Sequence, residues 1–173
     1  MKWGMLLLAM TACGTPPIEA APASTEHAPT IELRPIAHDQ ICVTKGEVAD
    51  AQVREPTVRA FARGSRGDAA ALTFTFGGDA DRGRALANGE LRRQMGLKLR
   101  AQDSCNVVYV MWRLDPKPKL EVSVKANPGK RTHKDCGADG YTKIRPATHR
   151  TLPSLDLGST HTVRAEIVGD ALS

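Results

Sequence analysis

The sequence predicts an all-β fold, an antiparallel β-sandwich. Three observations carry this. Apolar and polar residues alternate with period two in several short stretches. Clusters of Gly, Pro, Asn and Asp separate those stretches. Only one segment has a helical pattern. The chain has 173 residues, enough for one cored domain and a tail.

The domain begins near Ile31 and runs to Ser173. Two weaker strands are expected near Ile41–Val43 and Thr57–Arg63. Leu72, Phe74 and Phe76 alternate with Thr73 and Thr75, and Gly77-Gly78-Asp79 ends that strand. Gly83–Met95 is the helical candidate, although its central Asn88-Gly89 equally suits a hairpin turn. Leu97, Leu99 and Ala101 alternate with Lys98 and Arg100. Asn106–Leu114 is apolar on both faces, the pattern of a central strand covered on both sides. Asp115-Pro116-Lys117-Pro118 turns the chain into Leu120, Val122 and Val124, which alternate with Glu121, Ser123 and Lys125. Asn127-Pro128-Gly129 closes that strand. Val163, Ala165 and Ile167 form the last clear strand, before a turn at Gly169-Asp170.

The first thirty residues read differently. Lys2 is followed by a compact apolar run, Met5–Met10, then Met10-Thr11-Ala12-Cys13. The run is far short of the ~20 residues that span a bilayer. A charged start, an apolar run and a small-residue site, in that order, are the parts of an export signal. The segment resembles the lipobox of bacterial lipoproteins, with Met10 where Leu is usual. That resemblance implies a signal peptide over residues 1–12 and a mature chain that starts at a lipidated Cys13. Gly14, in place of Asp, implies sorting to the outer rather than the inner membrane. Residues 13–30 are rich in Pro, Ala, Ser and Thr and read as an extended, disordered tether. The implied address is the cell envelope, reached by export and held through a membrane-inserted lipid.

The two-faced strand, the tight turn to an alternating strand, and the late HTVRAEIVGDAL segment resemble concanavalin-like jelly-roll domains. Laminin-G-like modules and 3-keto-disaccharide hydrolase-like domains belong to that group. The resemblance covers about Ala69–Ser173 and includes no catalytic motif. It implies a jelly-roll β-sandwich that binds or processes glycans. In such domains a return strand follows the Gly-Asp turn. Here the sequence stops at Ala171-Leu172-Ser173, so closure in another way or a shortened C-terminus is expected.

The chain has four cysteines. With Cys13 assigned to lipid, an oxidising compartment favours one bridge among Cys42, Cys105 and Cys136. Cys105–Cys136 is favoured, because the loop after the strand adjacent to Cys105 folds back toward it. Pairings with Cys42 stay open; otherwise Cys42 is a buried thiol or an intermolecular partner.

Lys and Arg number 24 against 19 Asp and Glu, giving +5; loss of Lys2 with the signal leaves 23 against 19, or +4. The charges are interleaved, so a mixed, solvated surface is expected. Arg92, Arg93, Lys98 and Arg100 offer a basic stripe if they share a face. Nucleic acid is not an expected partner. His133 and Cys136 have H-x-x-C spacing, but no further ligand pair accompanies them. Asp103, Asp135 and Asp139 match no calcium loop. No metal or cofactor is expected. Ser65-Arg66-Gly67-Asp68 reads as a turn. Neither Glu121 nor Asp103 has the paired carboxylate a glycosidase needs, and there is no G-x-S-x-G, Walker or Rossmann motif. No catalytic residue is therefore assigned.

Aromatic residues are few, so contact with a glycan or an envelope protein would fall to Tyr109, Trp112, Arg113 and Tyr141. Trp112 also suits a core position. The expected role is a non-catalytic binding module at the envelope. The alternative is a glycan-processing hydrolase, which rests on the fold resemblance alone. A shortened remnant without stable function is the third reading.

Overall fold

The computed structural model describes residues 33, 35–46, 53, 57–79, 85, 89–91, 93–148 and 151–173. The expected lipid site Cys13, the signal segment and the tether lie outside these residues. The described chain is an all-β antiparallel sandwich with one short α-helix and a single 3-10 turn at His38–Gln40. Its strands are β1 (Ile41–Lys45), β2 (Arg59–Ala62), β3 (Ala69–Thr75), β4 (Gln94–Leu99), β5 (Val107–Arg113), β6 (Lys119–Lys125), β7 (Tyr141–Ile144), β8 (Thr160–Val168) and β9 (Ala171–Leu172). The helix, α1, is His133–Cys136. Strands β1 and β2 pair as a hairpin, β3-β8-β9 make a three-stranded sheet, and β4-β5-β6-β7 make a four-stranded meander.

Each strand expected from alternation is present. The helical candidate is not a helix where it is described. Ala85 and Leu91 form an antiparallel bridge, Gly89 has a φ of 84°, and Gln94 and Met95 already belong to β4. A left-handed residue between bridged neighbours is turn rather than helix geometry, and Asn88, the other residue of the expected turn, lies outside the described residues. The short strands β7 and β9 and the single-turn α1 were not expected.

The core lies between the two larger sheets. Leu97 and Leu99 of β4 and Val110 and Trp112 of β5 meet Val163, Ala165 and Ile167 of β8, with Leu72 and Phe74 of β3 packed beside them. The Trp112 ring stands edge-on to Phe74 and to His161, with centroids 6.1 and 5.4 Å away. On the outer face of the three-stranded sheet, Thr73 bonds Thr162 and Thr75 bonds Thr160, each hydroxyl pair 2.9 Å apart. Such cross-strand pairs fix register on a face that has no core to fix it.

One glycine sets how closely β4 approaches β5. A Cβ on Gly96 would lie 2.1 Å from the Val110 carbonyl oxygen and 2.9 Å from Met111 Cα. Both are backbone atoms of the partner strand and cannot swing aside. Gly96→Ala should therefore destabilise the domain by roughly 1–3 kcal/mol, as overpacking does. Urea unfolding measures this directly; an unchanged midpoint would mean that the strands are not so close.

Candidate binding face

Pairing in the meander sorts side chains by parity. Lys98 pairs with Tyr109, Gly96 with Met111 and Gln94 with Arg113. Across the next ladder, Tyr109 pairs with Ser123, Met111 with Glu121, Arg113 with Lys119 and Val107 with Lys125. Ser123 in turn pairs with Lys143, and Lys125 with Tyr141. Leu97, Leu99, Val110 and Trp112 face the core, so the residues between them face outward. All the charged residues of these four strands therefore share the outer face: Lys98, Arg113, Lys119, Glu121, Lys125 and Lys143. That is five cations and one carboxylate.

Two tyrosines stand in the middle. Tyr109 and Tyr141 are on strands separated by β6, yet their ring centroids are 5.8 Å apart. The residue of β6 opposite Tyr109 is Ser123, small enough to leave that gap. Lys98 Nζ lies 5.5 Å from the Tyr109 ring centre, and Lys125 Nζ 5.1 Å from that of Tyr141. For the exposed Lys98 such a contact is worth about 0.5–1 kcal/mol. Across the strands the order is Lys98 on β4, Tyr109 on β5, Lys125 on β6 and Tyr141 on β7, with Lys143 of β7 in the same cross-strand row as Lys98 and Tyr109.

The face is walled at both ends. At one end, the disulfide joins Cys105 to Cys136 with a Cα–Cα distance of 5.9 Å, the pairing favoured from the sequence. Lys125, only 1% exposed, runs beneath this loop. Its Nζ donates to Gly137 O at 2.7 Å and Ser104 O at 3.4 Å, and lies 3.2 Å from Cys136 Sγ. Asn127 ties the same loops by donating to Cys105 O and Asp139 O. Asp103 accepts from the amides of Cys105 and Asn106 at 2.7 and 2.9 Å. At the other end, Arg113 is 4% exposed. It pairs with Glu90 and, at 3.6 Å, with Glu121.

Glu121 accepts a hydrogen bond from Lys143 Nζ at 3.1 Å and lies 3.5 Å from Lys119 Nζ. Burial pushes its carboxyl upward, but the Lys143 bond and the charges of Lys143, Arg113 and Lys119 outweigh that and hold it below the usual carboxylate range. A carboxyl so placed stays ionised and is a poor proton donor near neutrality.

Three of the four expected contact residues, Tyr109, Arg113 and Tyr141, share this face. Tyr141 is half exposed, whereas Arg113 is an ion-paired wall residue. Trp112 is corrected: it is 3% exposed and points into the core, because its parity on β5 is opposite to that of Tyr109. The expected basic stripe does not form as drawn. Arg93 pairs with Asp79 and Arg100 with Asp68, both off the face, while Arg92 lies outside the described residues. Within these four strands parity puts five cations on one face, while other cations, such as Arg93, Arg100 and Arg164, pair with acids elsewhere. Lys119, Lys125 and Lys143 were the contributors missed. The even spacing of Lys119, Glu121 and Lys125 along one strand was the available signal.

The remaining motifs settle into structural roles. Asp68 of the Arg-Gly-Asp run accepts from Arg100 Nε at 2.8 Å, and Ser65 Oγ accepts from the Gly67 amide at 3.0 Å, as in a turn. Asp135 accepts from the Thr132 hydroxyl at 2.6 Å, capping α1. The Cys136 sulfur is in the disulfide. Among the described residues, no three His, Cys, Asp or Glu side chains gather as a metal site. Cys42 is buried, as expected, but disulfide-bonded rather than a free thiol. A shallow depression of about 310 Å³ lies at the end of the sandwich, between Phe76, Arg93, Leu114, Pro118 and Asp156. It is separate from the tyrosine pair.

Comparison with known proteins gives no match to any family model, curated protein or solved structure.

Two outcomes follow from this geometry. The disulfide spans 31 residues, so Cys105→Ala with Cys136→Ala should cost roughly 3–4 kcal/mol in urea unfolding. A loss below ~1 kcal/mol would show that the hydrogen bonds alone hold the loops. For Glu121, the folded chain holds its proton less tightly than the unfolded chain, whose carboxyl titrates near 4.5. Its stabilisation is complete above that value and disappears as pH falls through the depressed folded value. Glu121→Gln should be less stable than the wild type at pH 7. The two should converge as pH falls below 4.5. Parallel stability curves across that range would disprove the assignment.

Proposed function

We propose that the chain is an exported, lipid-anchored envelope protein whose sandwich is a non-catalytic glycan-binding module. The observation that carries the binding role is the tyrosine pair on the outer sheet face, with Lys98 and Lys143 at the two ends of the cross-strand row that holds Tyr109. Adjacent aromatic rings offer the apolar C–H face of a sugar a platform, and nearby cations and hydroxyls supply polar contacts. Tyr109 and Tyr141 are the platform, and Ser123 is the small residue between them. On this reading the domain is concanavalin-like, with β8 and its Gly169-Asp170 turn as the late segment of that resemblance. The hydrolase reading is less favoured. It needs a carboxylic acid that keeps its proton near neutrality, and Glu121 is held the other way.

The envelope address rests on Lys2, Met5–Met10 and Met10-Thr11-Ala12-Cys13, followed by the Pro/Ala-rich tether. One chemical constraint stands against the anchor and sets the rival outcome. Cys42 is in a disulfide, and beyond Cys105 and Cys136 the sequence has one other cysteine, Cys13. A single sulfur cannot carry both a lipid thioether and a bridge within the chain.

Intact mass of the protein made in a bacterial host, with and without reductant, decides the matter. The expected mass is residues 13–173 plus a diacylglyceryl group. A chain lacking lipid that gains four hydrogens on reduction would show two bridges and remove the anchor. An unprocessed chain starting at Met1 would remove export as well.

A further inference from the structure

We propose that the glycan taken by the tyrosine face is acidic, a polysaccharide bearing carboxylates, rather than a neutral one. This rests on the binding role assigned above and adds the chemical class of the ligand. The charge on the face is lopsided: Lys98, Arg113, Lys119, Lys125 and Lys143 stand against Glu121 in the four strands. Counting Glu90, which reaches Arg113 from the neighbouring segment, leaves a formal excess of three cations. The whole chain has an excess of only five.

The cations fall into two groups. Arg113 and Lys125 are buried at the walls, with their polar atoms engaged by protein. They contribute field but not direct contact. Lys98, Lys119 and Lys143 reach solvent, and the Lys143 side chain is 70% exposed. Lys143 and Lys119 both neighbour Glu121. An incoming carboxylate can share or replace that partner, since exposed pairs are held weakly. Lys98, at the opposite side of the tyrosines, lies over Tyr109. A sugar stacked on Tyr109 and Tyr141 therefore has cations on both flanks. Carboxylates projecting from the rim of such a sugar meet them, while a neutral chain leaves the positive field unanswered. A strand of nucleic acid offers similar chemistry, ring faces and anions. The envelope address makes a polysaccharide the ligand within reach.

The test uses the purified full-length chain and titration calorimetry at 50 mM salt. Polygalacturonate, alginate and hyaluronate are the acidic probes. Fully methyl-esterified polygalacturonate has the same sugar without charge. Polyphosphate and a fifteen-residue oligothymidylate are anions of other classes. At least one acidic glycan should bind. Esterification should weaken its binding tenfold or more, and so should raising salt to 500 mM. Lys98→Gln with Lys143→Gln should weaken it about tenfold, and Tyr141→Ala should weaken it too, whereas Tyr141→Phe, which keeps the ring over Lys125, should retain stacking and the wild-type melting temperature. Equal binding of the esterified polymer would overturn the acidic ligand but leave the glycan module standing. Equally tight polyphosphate or oligothymidylate, with no effect of Tyr141→Ala, would mean a general polyanion surface and overturn the proposal. No binding to any polymer would overturn both the proposal and the face.

Discussion

The register between β5 and β6 is the constraint on which the rest depends. Pairing Val110 with Val122 turns both toward the core, with Trp112 beside them. The same pairing turns Tyr109, Arg113, Glu121 and Lys125 outward together. A slip of one residue on β6 would send Glu121 and Lys125 toward Trp112, and burying unpaired charge costs several kcal/mol per group. Core and face are thus two sides of one choice. Neither can be altered by re-pairing without losing the other.

The ends of the face solve the same difficulty in different ways. Arg113 is buried beside two carboxylates, Glu90 and Glu121, and its planar fork suits such pairing. Lys125 is buried with no carboxylate among its described contacts. Backbone carbonyls of Ser104 and Gly137, the Cys136 sulfur and the Tyr141 ring surround it instead. Those carbonyls point the right way because the loops carrying them are closed by the disulfide and by Asn127. Lys125 and the bridge therefore support each other: the bridge positions the acceptors, and the lysine ties both loops to the sheet.

Alternation made the longer strands legible in the sequence, because a sandwich strand between a core and water imposes period two. The two-faced run of β5 was legible in part: Val107 and Arg113 at its ends are buried, with Glu90 on Arg113, whereas Tyr109 and Met111 between them are partly exposed on the outer face. Strand β7 was not. Tyr141-Thr142-Lys143-Ile144 has only two apolar side chains, on opposite faces, and its strand state comes from pairing with β6. The segment ending at Met95 read both ways, because Leu, Arg and Gln suit helices while Asn88-Gly89 suits a turn; where it is described, the left-handed Gly89 and the pairing of Gln94 and Met95 with β5 exclude the helix. The binding face was half legible. Tyr109 and Tyr141 were picked for their chemistry, but only pairing across β6 brings them together. The charge excess was visible as a total, and its placement depended on parity in four strands at once.

The outer face of the other sheet has a different character. Its hydroxyl ladder, Thr73–Thr162 and Thr75–Thr160, is uncharged, and Arg164 and Glu166 beside it form an ion pair. The strands of the two larger sheets therefore differ in what their outer faces offer: one presents hydroxyls and a neutralised pair, the other an excess of cations. An anion within a screening length of about 8 Å meets a different surface on each side of the sandwich, so the two faces are not interchangeable to it.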